Sequence, residues 1–455
     1  MKLDKTSQAN FARRLITAAL PVIALLAGPV VSPVAEAQAA LEEIIVTARK
    51  REESIQDVPI SVTSVGKELK EASIRRLEDI QSFTPNVYIR NTAGIPGGAA
   101  ISIRGVSYQE TDKTLDPSIG VIMDGLYLGT SSGALLQNFD TARVEVLRGP
   151  QGTLHGKNTT GGVLNIIRND VTMEWGGEAI LTAGDQGRED FRGVLNVPII
   201  EDELGVRLFG ASINSDGWVD NTTIDDDAWG DDKQLYGFAT KWQPTDNFDI
   251  KFHYEHMDDK TDTGAYTNMN QPEDLACVLQ GVLWAIGCAD SDPGSDEDNN
   301  STNDRNTNDS EYDTYIVTMN WEFDNFLITS ITGRREMDEQ YRIEFDGSPA
   351  NLLYFDYFND WNQTSQELRL TTEIGDDITL VVGGFYWDVG YEQRWNVHEL
   401  NYTLELLGIP QGNPPFSLTP NSINYNGQNQ NTESYAGFVS ADWDVNEKWT
   451  LSAGV

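Results

Sequence analysis

Several short patterns in this 455-residue sequence pair residue types at spacings that chemistry uses. Gly129-Thr130-Ser131-Ser132-Gly133 is a literal G-x-S-x-G, the turn that exposes a hydrolase serine between a strand and a helix. That chemistry also needs a large parallel sheet and an acid and a histidine in order. His253, His256 and His398 do follow, but inside an alternating polar–apolar array. The Gly152-x3-Gly156-Lys157 run imitates a phosphate loop, one residue short and with Asn158 in place of Ser or Thr. His253 and His256 lie three apart, so on a strand they point to opposite faces and share no metal. The stretch from Asp290 to Asp313 is rich in Asp and Asn, yet it lacks the glycine-anchored spacing of a calcium loop and reads as solvated surface. Cys277 and Cys288 are the only cysteines. A bond between them would close a small loop and stabilise by about 3 kcal/mol on the chain-entropy model. Two thiols without a nearby histidine fall short of a zinc site. The expectation is a protein that is not an enzyme and needs no cofactor.

Charge narrows the class further. Asp and Glu number 71 against 32 Lys and Arg, a formal charge of −39. No long basic cluster exists, which argues against nucleic acid and against electrostatic binding to anionic lipid. The first residues are an address. Lys2, Lys5, Arg13 and Arg14 precede an apolar run from Leu15 to Val31 that Pro21, Gly28 and Pro29 interrupt. Small residues then frame two exits, Ala35-Glu36-Ala37 and Ala37-Gln38-Ala39. That order predicts a secretory signal peptide over residues 1–37.

The elements that must position the remaining residues fall into three zones. Glu43-Ile44-Ile45-Val46-Thr47-Ala48, followed by Arg49-Lys50-Arg51-Glu52-Glu53, is a β-prone segment beside charge, within a tether at 38–57. Its residues suit equally a first strand and a segment that adds to another protein's sheet edge. From 58 to 172 strands and a helical spacing (Ile74, Leu77, Ile80, Phe83) mix with Gly-rich turns, which predicts a small α+β domain. From 173 to 455 helical spacing disappears. Phe248, Ile250, Phe252 and Tyr254 alternate with Asp249, Lys251, His253 and Glu255, and similar strands recur. Connections alternate between short (Pro244–Asn247, Glu322–Asn325) and long (Asp258–Glu311, Glu336–Asn362, Tyr391–Asn431). Short turns on one rim, long loops on the other and aromatics at strand ends predict an antiparallel transmembrane β-barrel. The count is about eleven strands, and the sequence stops at Val455 inside an apparent strand. An unpaired edge in hydrocarbon is costly, so the expectation is an N-terminal fragment, about half of a longer barrel.

The tether, the run Leu147-Arg148-Gly149-Pro150-Gln151-Gly152-Thr153-Leu154-His155-Gly156-Lys157-Asn158-Thr159-Thr160-Gly161-Gly162 and the strand array together resemble a TonB-dependent outer-membrane transporter. The resemblance implies a plug domain inside a barrel of about 22 strands in the outer membrane of a Gram-negative bacterium. It assigns Glu43, Ile44, Ile45, Val46, Thr47 and Ala48 as the TonB box, which TonB and its inner-membrane energising complex would pull. It implies plug–barrel coupling of Arg104 and Arg148 with a wall glutamate, matched by Glu367 in Ser365-Gln366-Glu367-Leu368-Arg369-Leu370. The strand pattern agrees, since Leu368 and Leu370 share one face and Glu367 takes the other. Charges simply solvated in a wet lumen are the alternative. The implied partners are TonB, outer-membrane lipid and an extracellular ligand such as a ferric siderophore, and the implied activity is active import. Cobalamin, carbohydrate or another organic nutrient is the alternative cargo. A passive porin and a secreted β-rich glycan-binding protein are the competing classes.

Overall fold

The computed structural model describes residues 43–91, 97–108, 113, 115–134, 139–262, 264, 299–300, 302, 306–344, 347, 354–375, 377–398 and 424–455. The chain enters through a two-stranded hairpin, β1 (Ile45–Val46) against β2 (Glu53–Ser54). An internal domain follows, with β3 (Val62–Val65), the short helix α1 (Lys67–Glu71) and a 3-10 helix (Leu77–Phe83). It continues through β4 (Val87–Asn91), β5 (Ala99–Ile103), β6 (Val106–Tyr108), β7 (Ile119–Met123), β8 (Leu126–Leu128) and β9 (Thr141–Arg148). The one-turn helix α2 (Gly152–His155) and β10 (Gly162–Arg168) complete it. Its main sheet has the order β3-β9-β10-β7-β8, with β10 parallel to β7; β4, β5 and β6 form a second sheet. The helical spacing from Ser73 to Phe83 closes as a 3-10 helix over its second half, with Leu77 and Ile80 buried. Ile80, Ile103, Met123, Leu126, Val146 and Leu164 are almost wholly enclosed and form the core of this domain.

Around it runs one antiparallel sheet of eleven strands, in which successive wall strands pair in chain order. They are β11 (Gly176–Ala183), β12 (Glu189–Ile200), β13 (Leu204–Ser215), β16 (Asp231–Thr245), β17 (Phe248–Asp259) and β19 (Asn308–Phe323). Then come β20 (Phe326–Glu344), β21 (Tyr354–Ile374), β22 (Ile378–His398), β23 (Asn424–Asn446) and β24 (Trp449–Gly454). Beyond β13 a small hairpin, β14 (Val219–Asn221) with β15 (Asp226–Ala228), pairs with β18 (Asn299–Asn300). Period-2 patterning settles the two faces of the wall. Tyr236, Phe238, Trp242, Trp321, Leu368 and Trp443 stand exposed on the outside, while Arg207, Glu255, Arg335, Glu339 and Glu367 are buried toward the internal domain. An apolar outer face and a polar inner face are the inverse of a soluble core and suit a lipid surround. Among the described residues no helix is long and apolar enough to cross a membrane.

The wall strands are longer than the sequence pattern predicts. The stretches Glu336–Asn362 and Tyr391–Asn431 read as loops, yet β20 runs on to Glu344, β21 starts at Tyr354, β22 ends at His398 and β23 starts at Asn424. The reason is solvent. Above the lipid both sheet faces can be polar, so Glu336, Asp338 and Asp360 replace the apolar alternation while the backbone ladder continues.

Candidate functional site

Within the segment Glu43–Ala48, Val46, Thr47 and Ala48 are held against the internal domain. β1 pairs with β2, which buries Val46 and Ala48 beside Leu147, Tyr127 and Val163 of the internal domain and leaves Ile44 and Ile45 exposed. The Thr47 amide donates to Glu145 Oε1 at 2.8 Å, and the Thr47 hydroxyl lies 3.3 Å from both carboxylate oxygens. Glu145 is fully buried and also takes Arg143 Nε (2.8 Å) and Asn165 Nδ2 (3.2 Å). The Ala48 carbonyl accepts from His155 Nε2 at 2.9 Å. Burial, reinforced by the Lys50 charge, lowers the His155 pKa to about 4, so the ring is neutral at neutral pH and Nε2 carries the proton.

The basic triplet after this segment grips the wall. Arg49 Nη1 lies 2.8 Å and Arg51 Nη2 2.6 Å from Asp442 Oδ2 on β23, and both arginines also meet Glu53. Between them the chain turns with Lys50 at φ 61°, which swings its ammonium the other way, onto Glu367 of β21. A non-glycine residue there is uncommon, and the ion pair helps hold it. Arg369 Nη1 reaches the same carboxylate at 3.0 Å, and the Phe438 ring lies 5.0 Å from the Lys50 ammonium. All these side chains are largely enclosed, so removing one charge strands another.

Glu367 therefore faces inward as expected, but among the described residues it pairs with Lys50 and Arg369 rather than with Arg104 or Arg148. Those two arginines lie near each other on another face of the internal domain. Arg104 stands exposed at φ 52°, with Nη1 3.7 Å from where a side chain on Gly149 would begin. Arg148 donates to the Pro85 carbonyl (3.1 Å), Ser61 Oγ (3.2 Å) and Thr63 Oγ1 (2.5 Å). Other ion pairs join the internal domain to the wall. Arg168 meets Glu255 at 2.6 Å, Lys113 meets Glu339 at 2.9 Å, Arg76 meets Asp231 at 2.6 Å and Asp140 takes Arg207 Nε at 2.6 Å. The available signal for these was a charged residue at an inward position of an otherwise regular strand, as at Glu255.

The remaining patterns resolve as packing. Gly129 and Gly133 bring the turn after β8 hard against the wall. A side chain at Gly129 would begin 2.6 Å from Trp387, and one at Gly133 2.4 Å from Tyr312. The Gly129 amide donates to Gln363 Oε1 at 3.1 Å and the Gly133 carbonyl accepts from Arg335 Nη2 at 2.7 Å. Lys157 lies 3.6 Å over the Trp387 ring and 3.7 Å from Asp116. His253 stacks inward on Phe209 (5.3 Å), whereas His256 meets Asp313 (3.0 Å) on the other face. Among the described residues no cluster of three or more His, Cys, Asp or Glu could hold a metal ion. Cys277, Cys288 and residues 1–42 lie outside the described residues.

A wall with an apolar outside, short turns on one rim, long connections on the other and a folded domain lodged inside is the architecture of an outer-membrane β-barrel with an internal plug. Residues 54–163 match the family model of the TonB-dependent receptor plug domain. The chain is 25% identical over 446 residues to the pesticin receptor of Yersinia pestis, covering 94% of this chain and 58% of that protein. It is also 25% identical over 154 residues to a vitamin B12 transporter of Vibrio vulnificus, covering 33% and 24% of the two chains. The ferric yersiniabactin uptake receptor of Yersinia pestis superposes with a TM-score of 0.70 at 19% identity, over 87% of this chain and 56% of that one. The ferripyoverdine receptor of Pseudomonas aeruginosa, solved with ferripyoverdine bound, gives 0.67 at 14% identity, over 90% and 53%. Residues 54–163 thus carry a TonB-dependent receptor plug domain, and the chain as a whole is similar to outer-membrane receptors of Gram-negative bacteria. It spans a little over half the length of the pesticin receptors that it matches.

Proposed function

We propose that this protein imports a scarce, large ligand across the outer membrane at the expense of TonB, and that the ligand is a ferric siderophore or another iron complex. The observation that carries the reading is the half-buried Glu43–Ala48 segment, a β-prone stretch with one edge on β2, Ile44 and Ile45 exposed and its following basic triplet on the wall. Such a segment serves as a handle, because strand addition by a periplasmic partner is directional and tolerates load along the chain. The iron cargo rests on relatives named for yersiniabactin and pyoverdine. The vitamin B12 transporter match, confined to a third of this chain, makes cobalamin the second reading. In this scheme residues 1–37 direct export, Glu43–Ala48 contact TonB, and force on them loosens the plug.

Deleting Glu43–Ala48 is expected to leave ligand binding to whole cells intact and to abolish uptake of the radiolabelled iron complex. Uptake at the parental rate would refute TonB dependence. Growth restored by cobalamin, and not by iron chelates, would move the cargo to the second reading.

A further inference from the structure

At the long-connection rim, plug and wall leave a cavity of about 160 Å³. Arg76 and Asn91 of the plug line one side, the β11–β12 turn and the tips of β13 and β16 the other, and Trp218 and Trp229 are part of its lining. The two indoles lie 6.1 Å apart at 41°. Gly217 and Gly230 put them there. A side chain on Gly217 would begin 2.1 Å from the Ala228 carbonyl oxygen, and one on Gly230 2.7 Å from that of Ser215. Trp218 is 53% exposed, a large apolar surface left in water. Trp229 holds φ 68°, a backbone that bulky residues rarely adopt and that functional sites often retain.

Size and charge then limit the occupant. A cavity of about 150 Å³ holds one benzene-sized ring, so this space takes one six-membered ring and not a whole chelate. The lining has three cations, Arg76, Arg188 and Lys233, against five carboxylates, among them Asp216 and Asp262. The cations are already engaged: Arg76 and Arg188 meet Asp231 at 2.6 and 3.3 Å, and Lys233 meets Asp259 at 3.4 Å. An anionic ring is therefore disfavoured. The Thr261 hydroxyl in the lining is buried without a hydrogen-bond partner. A bare aromatic ring would leave that hydroxyl buried without a partner and would bring no donor to Asp185 or Asp216. A ring with hydroxyls supplies donors to Asp185 and Asp216 and a partner to Thr261, and offers its C–H face to an indole.

We propose that this rim cavity is a sugar subsite that takes one neutral or amine-bearing pyranose ring, stacked on Trp218. The ring can arrive on imported cargo or on a surface glycan, and both present the same chemistry.

The protein in detergent micelles is titrated calorimetrically with methyl glucopyranoside, mannopyranoside, galactopyranoside and 2-amino-2-deoxyglucopyranoside, and with methyl glucuronoside as the anion. At least one neutral or amino glycoside is expected to bind with a Kd of about 1–10 mM, the scale for a dozen heavy atoms. The glucuronoside should bind about tenfold more weakly or not at all, by repulsion from the carboxylates. Trp218→Ala should weaken binding about tenfold, while Trp218→Phe, which keeps a stacking face, retains most of it. Unchanged far-ultraviolet circular dichroism certifies the folded barrel. No saturable binding of any glycoside, equal affinity for the glucuronoside, or an unchanged Kd in Trp218→Ala would each overturn the subsite. Binding of the same ring on a soluble polysaccharide supports the subsite with a surface glycan as source; binding of the monomer alone supports it with cargo as source. The Glu43–Ala48 deletion should bind the glycoside as the parent does, which separates this test from that of import.

Discussion

Asp442 of β23 fastens the two tether arginines, Arg49 and Arg51, to the wall. One carboxylate oxygen takes both Arg49 and Arg51, and the other takes the Ser452 hydroxyl at 2.5 Å, so both oxygens are engaged by protein donors. Asp442→Asn leaves two neighbouring guanidinium groups facing an amide, and breaking an enclosed pair of this kind costs about 3–5 kcal/mol. Much of that cost is relieved if the tether leaves, so the expected outcome is a tether that opens more often. A cysteine at the buried Val46 should react with a periplasm-accessible maleimide about tenfold faster in Asp442→Asn than with Asp442 intact, a shift of about 1.4 kcal/mol in the opening equilibrium. An equal labelling rate would mean that the plug contacts of Thr47 and Ala48 hold the segment alone. Glu367 shows how far the sequence carried at this scale. Its inward direction followed from its flanking leucines, because side chains alternate along a strand. Its partner did not, because Lys50 is more than three hundred positions away and only the packed chain brings the two together.

At the scale of elements, the turn after β8 couples the plug to the wall through glycines that a motif search reads as a nucleophile elbow. Gly133 sits at φ 60° with Tyr312 and the Arg335 guanidinium where its side chain would be. Gly133→Val is expected to cost about 2–4 kcal/mol, through left-handed backbone strain and overpacking together. Limited proteolysis should then clip the plug while the barrel resists. Gly152 has open space around it, so Gly152→Ala should change stability by no more than about 0.5 kcal/mol in the same assay. Strand identity was legible wherever lipid imposes an apolar second position, as from Phe248 to Tyr254. It was illegible along Glu336–Glu344 and Tyr354–Asn362, where the same ladder runs through water and the alternation disappears.

Over the whole molecule the sheet is an inside-out object. Aromatic side chains gather near the short turns, where Phe248 meets Trp321 (6.0 Å) and Phe323 stacks on Phe326 (4.4 Å). A second band, Tyr254 with Tyr315 (5.0 Å) and Tyr386 with Tyr435 (5.0 Å), lies further along the strands. Leu368 lies on the outer face between these levels and is exposed there. Leu368→Arg should destabilise the assembled barrel by about 2–4 kcal/mol, read as a lower urea midpoint in lipid vesicles. A midpoint unchanged by the arginine would argue that this face meets water. From the sequence came the layout: the period-2 wall, its two kinds of connection and a small α+β domain ahead of it are local patterns, and those of the wall are written by solvent on each strand, whereas the residues of Glu43–Ala48 suited a first strand and an added strand equally. Which charges close on which followed from the packed chain alone. It moved Glu367 from the plug arginines to Lys50, turned a catalytic-looking serine motif into a packing surface, and placed two tryptophans around a cavity. Those pairings depend on where distant segments meet, and one-dimensional spacing carries no record of that.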